Sequence, residues 1–227
     1  MPENSVIQLS TQSSTRPATP LSTEFDRQLN NLISAGYPQL AGLTDHEFVR
    51  RLAPLADLIP QLAAGPSGAE AADRIPFVIV VTRDLVAADR AMPVVRLGRK
   101  SGFTTMPADD LKRFTAIDSV SLPDRSAYLV TDLDTGADTL GVVPDEAIGT
   151  ITRQQRSPLT IDEGIALITQ YPDVLTDKSS FSLLGSRCGD RRVPALWVSR
   201  GRPRLGWCWA GAPHTWLGSA SCATRLG

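Results

Sequence analysis

The chain has 227 residues, with 23 Lys and Arg against 24 Asp and Glu, a formal net charge of −1. That length holds one large domain, or one domain plus an appendage, and 42% hydrophobic residues suffice for a sizeable core. The near-neutral balance gives no global pull towards nucleic acid or an anionic membrane, and no stretch approaches the ~20 apolar residues of a membrane span.

Three cysteines, an odd number without a disulfide framework, fit a reducing cytosol, so a soluble cytoplasmic protein is expected. Only 3 of the 23 cations are lysine, which leaves 20 arginines and suggests a GC-rich bacterial genome. Residues 1–21 are rich in Ser, Thr, Pro and Gln; they lack the apolar stretch of a secretory signal and read as a mobile tail.

Residues 22–227 are expected to form one α+β domain, with N-terminal helices packed on a mixed or antiparallel sheet. Ser22 or Thr23 caps a first helix with Phe25, Leu29, Leu32 and Ile33 on one stripe, and Gly36 closes it. Thr44 and Glu47 form a capping box for the second, with Leu43 and Phe48 as its hydrophobic staple. A third short helix covers residues 55–64, and residues 65–73 (GPSGAEAAD) form a connector.

From residue 75 the pattern changes. Residues 77–82 are a continuous apolar run, as in a strand buried on both faces. A short strand at 94–97, a helix at 108–114 and a strand at 127–131 follow. Asp132, Asp134 and Asp138 belong to a turn leading back into a strand at 139–143. A calcium loop begun at Asp132 would place Val143 where its bidentate Glu belongs, so that template fails. Pro144 opens a helix to about Arg153, and Thr160 with Glu163 caps another whose Ile161, Ile165, Leu167 and Ile168 face inward. The last segment is a β-meander with strands near 181–186, 193–199, 205–210 and 215–219.

The densest chemistry sits in that meander. Six arginines and one acid, Asp190, fall between Arg187 and Arg204. If residues 201–204 close the hairpin, Val198 lies opposite Trp207 and Leu196 opposite Trp209 on a core face. The other face then carries Trp197 on a floor of small residues.

A small-molecule pocket is expected where this meander meets the Thr160 helix. Arg191, Arg192, Trp197, Trp209 and Trp216 would bind an anionic ligand, and His214, Asp190 and Cys188 are the candidate catalytic groups. His214 sits in a turn between two tryptophans. Cys188, beside Arg187 and Arg191, is the most electropositive thiol and so a candidate nucleophile. The bland alternative is that the arginines pair with helix acids such as Asp162 and Glu163, or simply solvate loops. Cys188, Cys208, Cys222 and His214 lack the paired C-x-x-C spacing of a structural zinc site, so no metal is assigned. No Walker loop, G-x-G-x-x-G, H-E-x-x-H or G-x-S-x-G is present, and no cofactor is expected.

The segments FDRQLNNLISAGYPQLAGL, IPFVIVVTR, PLTIDEGIALIT and GDRRVPALWVSRGRPRLGWCWAGAPHTWLG resemble an actinobacterial family of standalone proteins known mainly as a domain of unknown function. The resemblance covers roughly residues 25–218. It implies a small bacterial cytoplasmic protein with a place in specialised metabolism, and it carries no mechanism. The chain departs from that family at Ala210 and Ala212, where an acid and an Asn are usual. A small-molecule binder is therefore the first functional expectation. A protein-interaction module using exposed Trp and Arg is the second. Nucleic acid and membrane are not expected partners, and oligomeric state is left open.

Overall fold

The computed structural model describes residues 20–64 and 74–227. The tail at 1–19 and the connector at 65–73 lie outside the described residues. In chain order the elements that matter are α1 (Leu21–Ser34), α2 (Asp45–Leu52), β1 (Ile75–Val81), β2 (Phe103–Thr104) and α3 (Ala108–Arg113). They continue with β3 (Ala127–Leu133), α4 (Pro144–Arg153), α5 (Ile161–Gln170), β4 (Ser180–Ser182) and β5 (Arg192–Ser199). The chain ends through β6 (Arg202–Trp209), β7 (Leu217–Ser219) and β8 (Thr224–Leu226). The fold is mixed α+β.

Two sheets organise it. The first has the order β1-β3-β8, antiparallel throughout, with Val78 opposite Val130 and Arg225 opposite Val130 on its other side. The apolar run of β1 is buried on both faces apart from Pro76. As the edge strand, β1 has backbone groups to satisfy. Gln28 of α1, fully buried, meets that need: its amide donates to the Phe77 carbonyl (2.9 Å) and its Oε1 accepts from Ile79 N–H (2.8 Å). On that account α1 buries a polar residue in its stripe beside Phe25 and Leu32.

The second sheet has the order β7-β4-β5-β6-β2, with β5 antiparallel to β4 and β6, and β7 and β2 added in parallel at the edges. Helix α5, capped by Thr160 and Glu163 as expected, packs between the sheets, and nine of its ten residues are buried. Gly164 is required there, since a Cβ would come within 2.4 Å of the Leu183 side chain. Helix α4 lays Ala147 and Ile151 on Leu184, Val193 and Ala210.

Several expectations are corrected. Helix α1 begins at Leu21 behind Pro20, so neither Ser22 nor Thr23 is its cap. The third helix is split into a 3₁₀ segment, Ala53–Leu58, and a short α-helix, Ile59–Ala64. Residues 139–143 form no strand. Gly136 enters a left-handed conformation, and Ala137–Thr139 makes a 3₁₀ turn whose Thr139 hydroxyl accepts from Ser219 N–H (2.8 Å).

The hairpin register also differs: the turn is Arg200-Gly201, and Ser199 pairs with Arg202. Both turn residues have positive φ (53° and 71°), as the two-residue hairpin turn that matches strand twist demands. Leu196 therefore faces Leu205, and Pro194 faces Trp207. The slip is an even number of residues, so each side chain keeps its expected face while its partner changes.

Candidate functional site

The residues assigned to one meander pocket fall into three separate places. Trp197 pairs with Arg204 near the turn, while Trp209 pairs with Arg192 at the far end of the ladder, on the opposite face. Five residues of strand separate the pairs, about 17 Å at ~3.3 Å per residue. His214 stands in a third place, the turn before β7, where its carbonyl accepts from Leu217 and Gly141 N–H and Leu217 runs beside Ser180 of β4.

At the near end, Gly206 provides the small floor, and the Trp197 ring lies on it: a Cβ at 206 would sit 2.3 Å from the indole. The space left over is filled. The Arg204 guanidinium stacks 5.0 Å from the Trp197 ring and 5.6 Å from Phe103, and Arg202 stacks 4.6 Å from Phe103.

At the far end, Arg192 is held by two protein carboxylates. It donates to Asp110 of α3 (Nη1–Oδ2 2.6 Å, Nη2–Oδ1 3.0 Å) and through Nε to Asp190. Two of the six meander arginines pair with acids, though not with Asp162 or Glu163: Arg192 takes Asp110 and Asp190, and Arg187 takes Asp145 (3.6 Å). Arg191 is exposed beside Gly211.

The three catalytic candidates sit in different surroundings. Asp190 accepts from Arg192 N–H (2.9 Å) and from the Cys188 thiol (3.1 Å), which hold its carboxyl below the ordinary value of 3.8. It is a turn carboxylate already engaged. Burial, and then donation to Asp190, push the Cys188 thiol up, against the expectation of an activated thiolate. Burial likewise raises Cys208 to about 11 and Cys222 to about 12. His214 stacks on Trp216 at 5.3 Å, and among the described residues no side-chain hydrogen bond orients its imidazole. Trp207 and Trp209 form an edge-on pair at 4.9 Å; with Trp216 they are 38%, 52% and 38% exposed. Trp207 and Trp209, expected in the core, are surface residues because the face they share with Leu196 and Leu205 runs past its cover.

A different concavity gathers polar side chains. It is a cleft of about 350 Å³ at the carboxyl end of β1, bounded by the loop before β3 and the N-terminus of α5. Its back wall is the Arg83–Asp162 pair, in which Arg83 donates from its backbone N–H (2.9 Å), Nε and Nη2 (both 3.2 Å) and also reaches the Phe114 carbonyl. Burial pushes the Asp162 carboxyl above its usual range against the pull of Arg83. Thr82, Thr115, Thr160 and Ser126 add hydroxyls, and Leu122 and Pro123 add apolar surface.

Asp84, Asp124 and Arg125 complete the lining, and among the described residues none of the three forms an ion pair. Behind the cleft, Tyr128, which also lines it, donates to Glu163 (2.9 Å). The fully buried Glu163 is held by Arg225 of β8 (Nη2–Oε2 3.0 Å). Wider clefts exist, including one of about 450 Å³ over α1 and α5. Its Arg27 and Asn31 are already bonded to Glu24 and to the Thr169 carbonyl.

Sequence reasoning missed this cleft. Glu163 was legible as a capping residue and, with Asp162, as an acid for some arginine, but Arg83 and Asp162, 79 positions apart, carry no local signature of their pairing. The one available signal was the order strand, polar Thr82-Arg83-Asp84, then a distant capped helix. Among the described residues no three His, Cys, Asp or Glu side chains converge as a metal site requires, and no helix is long and apolar enough to cross a membrane.

Fold and cleft together define a mixed α+β domain with a polar cleft at a strand-to-helix junction. The chain belongs to the family of unknown function DUF5701, which matches residues 31–227. No curated protein and no solved structure matches it.

Proposed function

We propose that the protein binds a small zwitterionic metabolite in the cleft between β1, the loop before β3 and α5. The observation that carries this reading is the charge pattern of the lining. Arg83 and Asp162 neutralise each other, whereas Asp84, Asp124 and Arg125 stand without protein partners among the described residues. Two carboxylates suit an ammonium group, and a guanidinium fork suits a carboxylate or phosphate. The volume lies at the low end of the roughly 300–1,000 Å³ range of ligand sites, which fits a molecule of amino-acid size. The N-terminus of α5 adds a favourable dipole for the ligand's anionic end.

This reading keeps the expectation of a small-molecule binder and moves it from the meander to the other sheet. A protein-interaction role has the exposed Trp207 and Trp209 in its favour, and no feature says what would cover them.

Thermal unfolding with a panel of free amino acids and related zwitterions tests the proposal. A ligand at a hundred times its Kd adds about 2.7 kcal/mol, a rise of several degrees for a domain of this size. Arg125→Ala should abolish the rise and leave the ligand-free midpoint unchanged. A flat panel, or an undiminished rise in Arg125→Ala, contradicts it.

A further inference from the structure

The molecule carries one strongly charged surface that the cleft does not use. Residues 91–108 contain no acid, and neither do residues 191–227. The fold brings the tips of these two segments together. The small hairpin Arg96–Leu97/Lys100–Ser101 lies against the β5–β6 turn, where Lys100 Nζ donates to the Arg200 carbonyl (3.0 Å) and Arg202 Nε to the Ser101 carbonyl (2.8 Å). Arg96, Arg99, Lys100, Arg200 and Arg202 are exposed, and Arg204 is half-buried beside them. Among the described residues none of the six forms an ion pair.

We propose that these paired hairpin tips form a binding surface for the phosphate backbone of a nucleic acid. Two features favour that partner. First, Arg202 and Arg204 are stacked on Phe103 and Trp197, so their guanidinium planes are set before a partner arrives and little side-chain entropy is lost on binding. Planar forks of this kind match phosphate oxygens. Second, the large exposed apolar side chains, Leu122, Leu140, Trp207, Trp209 and Trp216, all lie elsewhere, so the tips present nothing to insert into an anionic membrane. Phe103 and Trp197 are already covered by arginine, so base stacking is not offered and recognition is of phosphate without sequence preference. The formal charge of −1 hid this surface, because it averages an acid-free end with acid-bearing helices and loops.

The test is fluorescence anisotropy of the full chain with a labelled duplex DNA of roughly 20 base pairs, titrated with salt. Six phosphate contacts give a slope of log K against log salt of about −5. Affinity then falls about a thousandfold between roughly 50 and 200 mM salt. The double variant Arg99→Ala/Arg200→Asn removes two side chains that make no side-chain hydrogen bond in the structure. It should reduce the slope magnitude by about 2 without lowering the melting midpoint. A control, Arg50→Ala/Lys178→Ala, removes as many exposed charges elsewhere and should leave binding unchanged.

The proposal is overturned if no salt-dependent binding is seen or if the control weakens binding as much as the tip variant. Equal competition by polyglutamate, or preferential binding to phosphatidylserine vesicles, also overturns it.

Discussion

Arginine serves opposite ends in two parts of this molecule. At the C-terminal strand, Arg225 and Arg156 are each 6% exposed and lock distant segments together. Arg225 binds Glu163 of α5, and Arg156 binds Asp132 (2.7 Å) and the Ser221 hydroxyl (2.8 Å). At the hairpin tips the same residue type is exposed, unpaired among the described residues and stacked on aromatic rings. Local composition does not separate the two, since Arg225 and Arg202 stand in equally acid-free sequence. What differs is whether the fold delivers a carboxylate. A cation with a buried partner fixes structure, and one left without a partner is available to a ligand.

That contrast predicts a ranking of effects. The largest belongs to Arg225→Met, which strands a fully buried Glu163 charge beside Tyr128. Breaking a buried pair by removing one partner costs on the order of 3–5 kcal/mol, read from the midpoint of urea unfolding. Adding Glu163→Gln should recover part of the loss, and additive losses would show that the two groups are not coupled.

Next is Gly206→Ala. Its methyl group enters the Trp197 ring and should cost about 1–3 kcal/mol, with a change in tryptophan emission as the indole leaves the Arg204 stack. Unchanged emission would sink the stacking account.

A smaller effect concerns acid. Hydrogen bonds from Arg192 hold the Asp110 and Asp190 carboxyls below their ordinary value of 3.8. Groups depressed in the folded state contribute stability that is present above the unfolded value and lost as pH falls through the folded one. The melting midpoint of the wild type should therefore drop below about pH 4 more steeply than that of Asp110→Asn. Parallel profiles would mean that the α3–meander tie is not ionic.

The smallest change is at the tip itself: Arg200→Asn suits the left-handed turn position and should stabilise the hairpin by a few tenths of a kcal/mol. A midpoint lowered by this variant would contradict the turn assignment.

Much of the fold was legible in the residues, and the reasons are local ones. The capping boxes at Thr44 and Thr160 are four-residue patterns, and β1 announces itself as an unbroken apolar run. The hairpin faces were legible because alternation survives an even slip, and the register was not, because it depends on which two residues accept positive φ. Arg200 takes φ 53° beside Gly201, a conformation that its side chain does not advertise.

The site was largely illegible for a different reason. Arg83–Asp162, Tyr128–Glu163 and Arg192–Asp110 each join residues 35 or more positions apart, and nothing in either neighbourhood marks the partner. The meander drew attention through composition, yet several of its charges and rings are committed to one another.

Backbone amide NMR shifts during titration with a zwitterion that raises the melting midpoint locate the bound ligand directly. The cleft predicts perturbations at residues 82–84, 115–116, 122–126 and 160–162, with the meander amides still. Perturbations centred on His214, Trp209 and Arg191 would contradict it and return the site to the meander.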